Sequence, residues 1–147
     1  MKISEILDQK GRDVITVQAG ASLKEISDVL TEHNVGAAVV LTRNDAVCGI
    51  VSERDVIRHM SQGGLVSLDD PVSCRMTSDV VFSDGSESVD TALRIMTDGR
   101  FRHLPVLEDG ALAGLVSIGD VVKHKIAATE QNANELIRYI ANDGYAA

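Results

Sequence analysis

The residues best suited to chemistry in this chain come in two copies. Ser52 and Asp55 stand in GIVSERDVIR, Gly49–Arg58, and Ser117 and Asp120 stand in GLVSIGDVVK, Gly114–Lys123, 65 positions later. In each copy an apolar run ends in a serine and an aspartate follows three residues on. Taken singly, Ser-x-x-Asp at the mouth of a helix is close to a capping box, which satisfies unpaired N–H groups of the first turn. The same pair can also hold a nucleoside. An ionised aspartate accepts hydrogen bonds from both hydroxyls of a ribose, and a serine beside it can reach ribose or phosphate. The free N–H groups of the helix start favour negative charge nearby. Both copies fall at the carboxyl end of a strand, where open α/β sheets place ligands.

Signs of catalysis are absent from the sequence. There is no HExxH, GxSxG, Walker A or GxGxxG pattern. Carboxylates such as Glu25, Asp28 and Glu32 fall on polar helix faces, so the chain is read as non-catalytic. His59 and His124 hold equivalent repeat positions and read as surface or helix-end histidines rather than a metal pair. Cys48 and Cys74 lie far apart, with no CxxC and no Cys/His cluster, and read as reduced thiols. No metal site is expected.

The elements that must position these residues are also written twice. Val14–Val17 (VITV) and Val80–Ser83 (VVFS) read as short strands. Ser22 precedes a helical pattern at Leu23, Ile26, Val29 and Leu30, and Ser88 precedes one at Val89, Ala92, Leu93 and Met96. Each serine is placed as an N-cap, and Glu25 completes a capping box in the first copy. Strands follow at Gly36–Leu41 and His103–Leu107, then turns at Thr42–Ala46 and Glu108–Gly110. Asp-Gly between apolar runs is a strong hairpin signal, because a type I′ turn needs positive φ. The first loop carries one residue more, which changes the repeat offset from 66 to 65. Second strands at Val47–Val51 and Leu112–Val116 lead into the helices that start near Ser52 and Ser117.

Each copy therefore reads β-α-β-β-α, an α/β (α+β) class. Half of 147 residues is too little to bury both faces of a three-stranded sheet, so the copies are expected to pack together with approximate two-fold symmetry. The expected divisions are 1–64, 65–125 and a helical tail at 126–147. Val72–Met76 reads as a short helical lead-in to the second copy. In the tail, Leu136, Ile137 and Ile140 recur at helical spacing and are expected to dock on a neighbouring surface.

Composition narrows the function further. Hydrophobic residues make up 44 % of the chain, with two Phe, two Tyr and no Trp, which suits an aliphatic α/β core. A formal net charge of −8 argues against general nucleic-acid binding. No apolar run is long enough to span a membrane, and the start MKISEILDQKG lacks the apolar region of a signal peptide, so a cytoplasmic address is expected.

Tandem β-α-β-β-α repeats ending in glycine, two hydrophobic residues and Ser-x-x-Asp resemble a pair of CBS (cystathionine β-synthase-type) domains, a Bateman module. The motifs that carry the resemblance are GIVSERDVIR, GLVSIGDVVK and RHLPVLEDGALAG, and it spans about Ile3 to Lys125. The resemblance implies a pseudo-symmetric pair with two clefts that bind adenosyl ligands: AMP, ADP, ATP, NAD or S-adenosylmethionine. It implies no required cofactor, only such a regulatory ligand, by which the module senses energy or cofactor state. Carried onto this chain, Asp55 and Asp120 hold ribose hydroxyls with Ser52 and Ser117 beside them. Ile15, Thr16, Gly36, Ala37, Ala38, Val81 and Leu104 enclose adenine, and Arg102 and His103 meet phosphate. The first copy has Gly36-Ala37 where the second has Arg102-His103, although Arg54 can supply a cation; the second copy has Gly119 at the Arg54 position. The two clefts are thus expected to differ. The resemblance also implies a homodimer, with a ligand-free dimerisation or scaffold protein as the alternative; as a regulator the chain is expected to act on a separate, unidentified protein target or by changing its own assembly.

Overall fold

The computed structural model describes residues 1–143. The chain runs α1 (Ile3–Lys10), β1 (Thr16–Gln18), α2 (Leu23–Glu32), β2 (Ala37–Leu41), β3 (Val47–Ser52) and α3 (Glu53–Gly63). Two short 3-10 helices follow, Leu65–Asp69 and Val72–Cys74, and then β4 (Ser83–Asp84), α4 (Val89–Gly99), β5 (His103–Glu108), β6 (Ala111–Ser117) and α5 (Ile118–Asp143). By packing, the chain divides into two units: Asp13–Val81, and Met1–Arg12 together with Phe82 onward.

In the contiguous unit the sheet order is β1-β2-β3, with β1 parallel and β3 antiparallel to β2. Ser22 Oγ accepts the Glu25 N–H at 3.1 Å and a Glu25 carboxylate oxygen accepts the Ser22 N–H at 3.3 Å, so the expected capping box starts α2. Leu23, Ile26 and Leu30 of α2 close over Ala38, Val40 and Val51 of the sheet, with Val56 of α3 and Val72 of the second 3-10 helix. The hairpin loop Arg43–Asp45 closes with the Asp45 N–H donated to Thr42 C=O, and Asp45 at φ 58°. That is a three-residue turn ending in a left-handed residue.

The discontinuous unit repeats this plan as β4-β5-β6. Ser88 Oγ accepts the Thr91 N–H at 3.1 Å at the start of α4. The β5–β6 turn is one residue shorter, Asp109-Gly110, and both carry positive φ, 51° and 77°, as a type I′ turn requires. Its core joins Val89, Ala92 and Met96 of α4 to Leu104, Val106 and Val116 of the sheet. The helix that completes this core comes from the far end of the chain. Ile3, Ile6 and Leu7 of α1 are fully buried in it, and burying an Ile or Leu side chain stabilises by about 1.5–3 kcal/mol.

The glycines of the two repeated decapeptides have the same packing reason. Each follows a bulge residue, Cys48 or Ala113, where the β2–β3 and β5–β6 registers shift. A Cβ on Gly49 would lie 2.5 Å from Met76 Sδ, and one on Gly114 would lie 2.5 Å from Leu7 Cδ2. In both units a side chain from outside the β-α-β-β-α repeat rests on the bare backbone of the last strand.

Two expectations are corrected. The first strands of the repeats start later than VITV and VVFS, because β1 pairs only with the second half of β2, Thr16 opposite Val39, and β4 only with Val106 and Leu107. The tail does not dock within the described chain. Helix α5 runs unbroken for 26 residues, about 39 Å, with Leu136 59 %, Ile137 63 % and Ile140 61 % exposed. The last four residues of the expected tail lie outside the described residues.

Candidate functional site

Each decapeptide carries its serine and aspartate from the last strand into the first turn of a helix. Ala37, first in β2, pairs with Ser52, last in β3, and the Gly36 C=O accepts the Glu53 N–H at 3.0 Å. In the other unit His103 pairs with Ser117, and the Arg102 C=O accepts the Ile118 N–H at 2.8 Å. The start of one strand is therefore tied to the end of its neighbour, and the helix leaves from that corner.

At the corner of the contiguous unit, Asp55 Oδ2 accepts the Ser52 N–H at 2.8 Å and the Ser52 hydroxyl at 3.0 Å. At the other, Asp120 Oδ2 accepts the Ser117 N–H at 2.8 Å, and Ser117 Oγ accepts the Asp120 N–H at 3.2 Å. The capping role is thus present in both copies. It does not exhaust a carboxylate, which offers about four lone-pair sites.

The corners differ in charge. Lys10, at the end of α1, places Nζ 2.5 Å from Asp120 Oδ2 and donates to the Leu115 C=O at 2.8 Å. Partial burial opposes ionisation of Asp120, but the Lys10 ammonium and the Ser117 groups outweigh it and hold the carboxyl below its ordinary value. Among the described residues, no lysine or arginine forms an ion pair with Asp55. Lys10 was not among the residues the sequence singled out.

The other sequence-selected residues fall as follows. Ile15 precedes β1, and its C=O accepts the Val39 N–H at 3.0 Å, so Ile15 and the exposed Thr16 stand at the same end of the sheet as Gly36, Ala37 and Ser52. Ala38 and Leu104 turn their side chains into the two cores, so only their backbone is left for a ligand. Arg54 is exposed in the first turn of α3, and Arg102 is exposed just before β5. His103 is half-buried at the start of β5. Val81 is half exposed at the end of the contiguous unit, two positions before β4. Gly36 and Glu53 also line a groove of about 530 Å³ along α2 and α3, with Leu30, Val56, Ile57 and Met60.

A second polar group was not visible in the sequence. His59 Nε2 lies 2.8 Å from Asp70 Oδ2, and the Arg75 side chain donates from Nε to His59 Nδ1 at 3.2 Å. Arginine can only donate, so Nδ1 bears the lone pair and Nε2 bears the hydrogen that Asp70 accepts. The Cys74 thiol joins this group, its ligand atom within 4.8 Å of the other two.

A family model described as the CBS domain matches residues 3–62 and 66–127. The chain is 32 % identical over 146 residues to a mitochondrial CBS domain-containing protein of Arabidopsis thaliana, covering 94 % of this chain and 71 % of that one. The structure is similar to a CBS-domain-containing protein from Agrobacterium tumefaciens, with a TM-score of 0.82, 44 % identity and coverage of 84 % and 92 % of the two chains. It is also similar to a CBS domain protein from Pyrobaculum aerophilum solved as a complex with AMP, with a TM-score of 0.73, 28 % identity and coverage of 82 % and 89 %. No helix among the described residues is long and apolar enough to cross a membrane.

Proposed function

The chain belongs to the CBS domain family as a tandem pair, and from that premise we propose that it is a non-catalytic regulatory module whose ligand is an adenine nucleoside or nucleotide. The observation that carries the reading is the repeated corner: in both copies an aspartate with spare acceptor capacity is held by its cap serine where a strand becomes a helix. Ribose hydroxyls are donors spaced to suit such a carboxylate. The AMP complex of the Pyrobaculum relative supports the adenosyl class. Asp55 and Asp120 are the proposed ribose ligands, Ile15, Thr16, Gly36 to Ala38, Val81 and Leu104 the adenine surroundings, and Arg102, His103 and Arg54 the phosphate contacts. The two sites are not equivalent, because Lys10 already occupies Asp120 and no cation among the described residues occupies Asp55 in the same way.

Calorimetry with adenosine and AMP on the wild type, Asp55→Asn and Arg102→Ala tests this. A hydrogen bond to a charged group contributes about 1.5–3 kcal/mol, so Asp55→Asn should weaken one class of binding site about 10-fold or more with little change in stability. Arg102→Ala should narrow the preference for AMP over adenosine. Undiminished binding in both Asp55→Asn and Asp120→Asn would overturn the ribose role and leave both aspartates as caps.

The same reading includes a homodimer, supported by Ile57 lying 66 % exposed beside the α2–α3 groove. A molar mass near 15.7 kDa by light scattering would overturn it.

A further inference from the structure

We propose that His59, Asp70 and Cys74 form a binding site for a borderline-soft divalent cation of the zinc type. The three residues come from two elements that the fold already fixes. His59 stands one turn beyond Asp55 on α3, while Asp70 immediately precedes Pro71, the N-cap of the second 3-10 helix, and Cys74 ends that helix. That short segment is held by its own backbone. The Asp70 N–H goes to Ser67 C=O at 3.1 Å, the Asp70 C=O accepts the Leu23 N–H at 3.0 Å, and the Cys74 N–H goes to Pro71 C=O at 3.1 Å. The carriers of the donor atoms are thus ordered before any ion arrives.

The donor set selects the ion. One imidazole nitrogen, one carboxylate oxygen and one thiolate suit zinc, whereas magnesium and calcium take oxygen alone. The three ligand atoms lie within 4.8 Å of one another. Bonds of about 2.0–2.3 Å in a tetrahedron separate ligand atoms by about 3.3–3.8 Å, so the site needs only modest adjustment. His59 Nε2 and Asp70 Oδ2, now 2.8 Å apart, open by about half an ångström to take an ion between them, and Cys74, which is free and exposed, closes by rotation. The fourth position, toward solvent, is left for water.

Binding also rearranges protons. The Cys74 thiol proton leaves to solvent. The hydrogen on His59 Nε2 moves to Nδ1, and the Arg75 Nε that now faces Nδ1 turns aside, as Arg75 already donates from Nη2 to Gln62. The ion then replaces the His59–Asp70 hydrogen bond by a clasp between α3 and the segment that leads from one repeat to the next.

The test uses the reduced, metal-free full chain titrated with Co²⁺ and then Zn²⁺. Cobalt bound to a thiolate gives a sulfur-to-metal charge-transfer band, which a His–Asp hydrogen bond alone cannot produce. The wild type should show the band, Zn²⁺ should abolish it by displacement, and Cys48→Ser should keep it. Cys74→Ser, at an exposed position that leaves folding intact, should lose it. Asp70→Asn and His59→Asn should weaken Zn²⁺ binding by about 100-fold or more, since even outer-shell partners of metal ligands affect affinity by about 10–100-fold. The melting temperature should rise with Zn²⁺ in the wild type and not in Cys74→Ser. No band at saturating Co²⁺, a band that survives Cys74→Ser, or a band lost in Cys48→Ser would overturn the assignment.

Discussion

Replacing Lys10 by Met keeps the aliphatic stem of the side chain and removes its ammonium from Asp120 and the Leu115 carbonyl. A charged hydrogen bond contributes about 1.5–3 kcal/mol, whereas exposed ion pairs contribute about 0.2–1 kcal/mol. Lys10 is 38 % exposed and Asp120 26 %, so solvent screens the pair in part. The expected loss at pH 7 is therefore about 1 kcal/mol, or about 2–4 °C in melting temperature for a chain of this size. The pH dependence identifies the cause. The folded Asp120 carboxyl is held below its ordinary value, so its contribution is complete above the unfolded carboxyl's value of about 3.9 and fades as pH falls through the folded value. Urea midpoints of wild type and Lys10→Met should differ most at neutral pH and converge in acid. An NMR titration should also find the Asp120 carboxyl moved upward in the variant. A gap below about 0.2 kcal/mol at pH 7, or one that stays constant into acid, would refute the reasoning.

Three further outcomes follow from packing. Gly114→Ala drives a methyl into the fully buried Leu7 and should cost about 1–3 kcal/mol in urea unfolding; Gly49→Ala should cost less, because the half-buried Met76 is more adaptable. Ile6→Ala should cost about 2–5 kcal/mol and lower the melting temperature, since its side chain is fully buried in the core of the discontinuous unit. Changing Leu136, Ile137 and Ile140 together to Gln should leave the free energy of unfolding in urea within about 0.5 kcal/mol of wild type, as all three are more than half exposed.

What was legible in the sequence was local. The capping serines Ser22 and Ser88, the Asp109-Gly110 turn and the extra residue in Arg43–Asp45 each act within a few positions, and the structure shows each. The repeat itself made the Ser-x-x-Asp corners visible, and both close as hydrogen-bonded caps. The missing parts depend on separation along the chain. Lys10 meets Asp120 across 110 positions, and no local pattern announces it. His59, Asp70 and Cys74 sit at spacings that match no ligand motif, and the turn around Pro71 brings them together. The tail shows the converse limit. Helical spacing of Leu136, Ile137 and Ile140 was real, but periodicity states which residues share a face and not whether anything covers it.

The discontinuity of one unit orders events while the chain is being made. Lys10 leaves the ribosome 105 residues before Leu115, the residue whose carbonyl it will hold. At about 5–20 residues per second, α1 waits roughly 5–20 s for its partners. An eight-residue helix is not stable alone, so Ile3, Ile6 and Leu7 remain without a core through that interval. The stretch Asp13–Val81 meanwhile emerges whole and can fold first. The second repeat then closes around a segment synthesised before the first. A fragment that starts at the second repeat would therefore lack three of its fully buried side chains, however complete its own strands and helices.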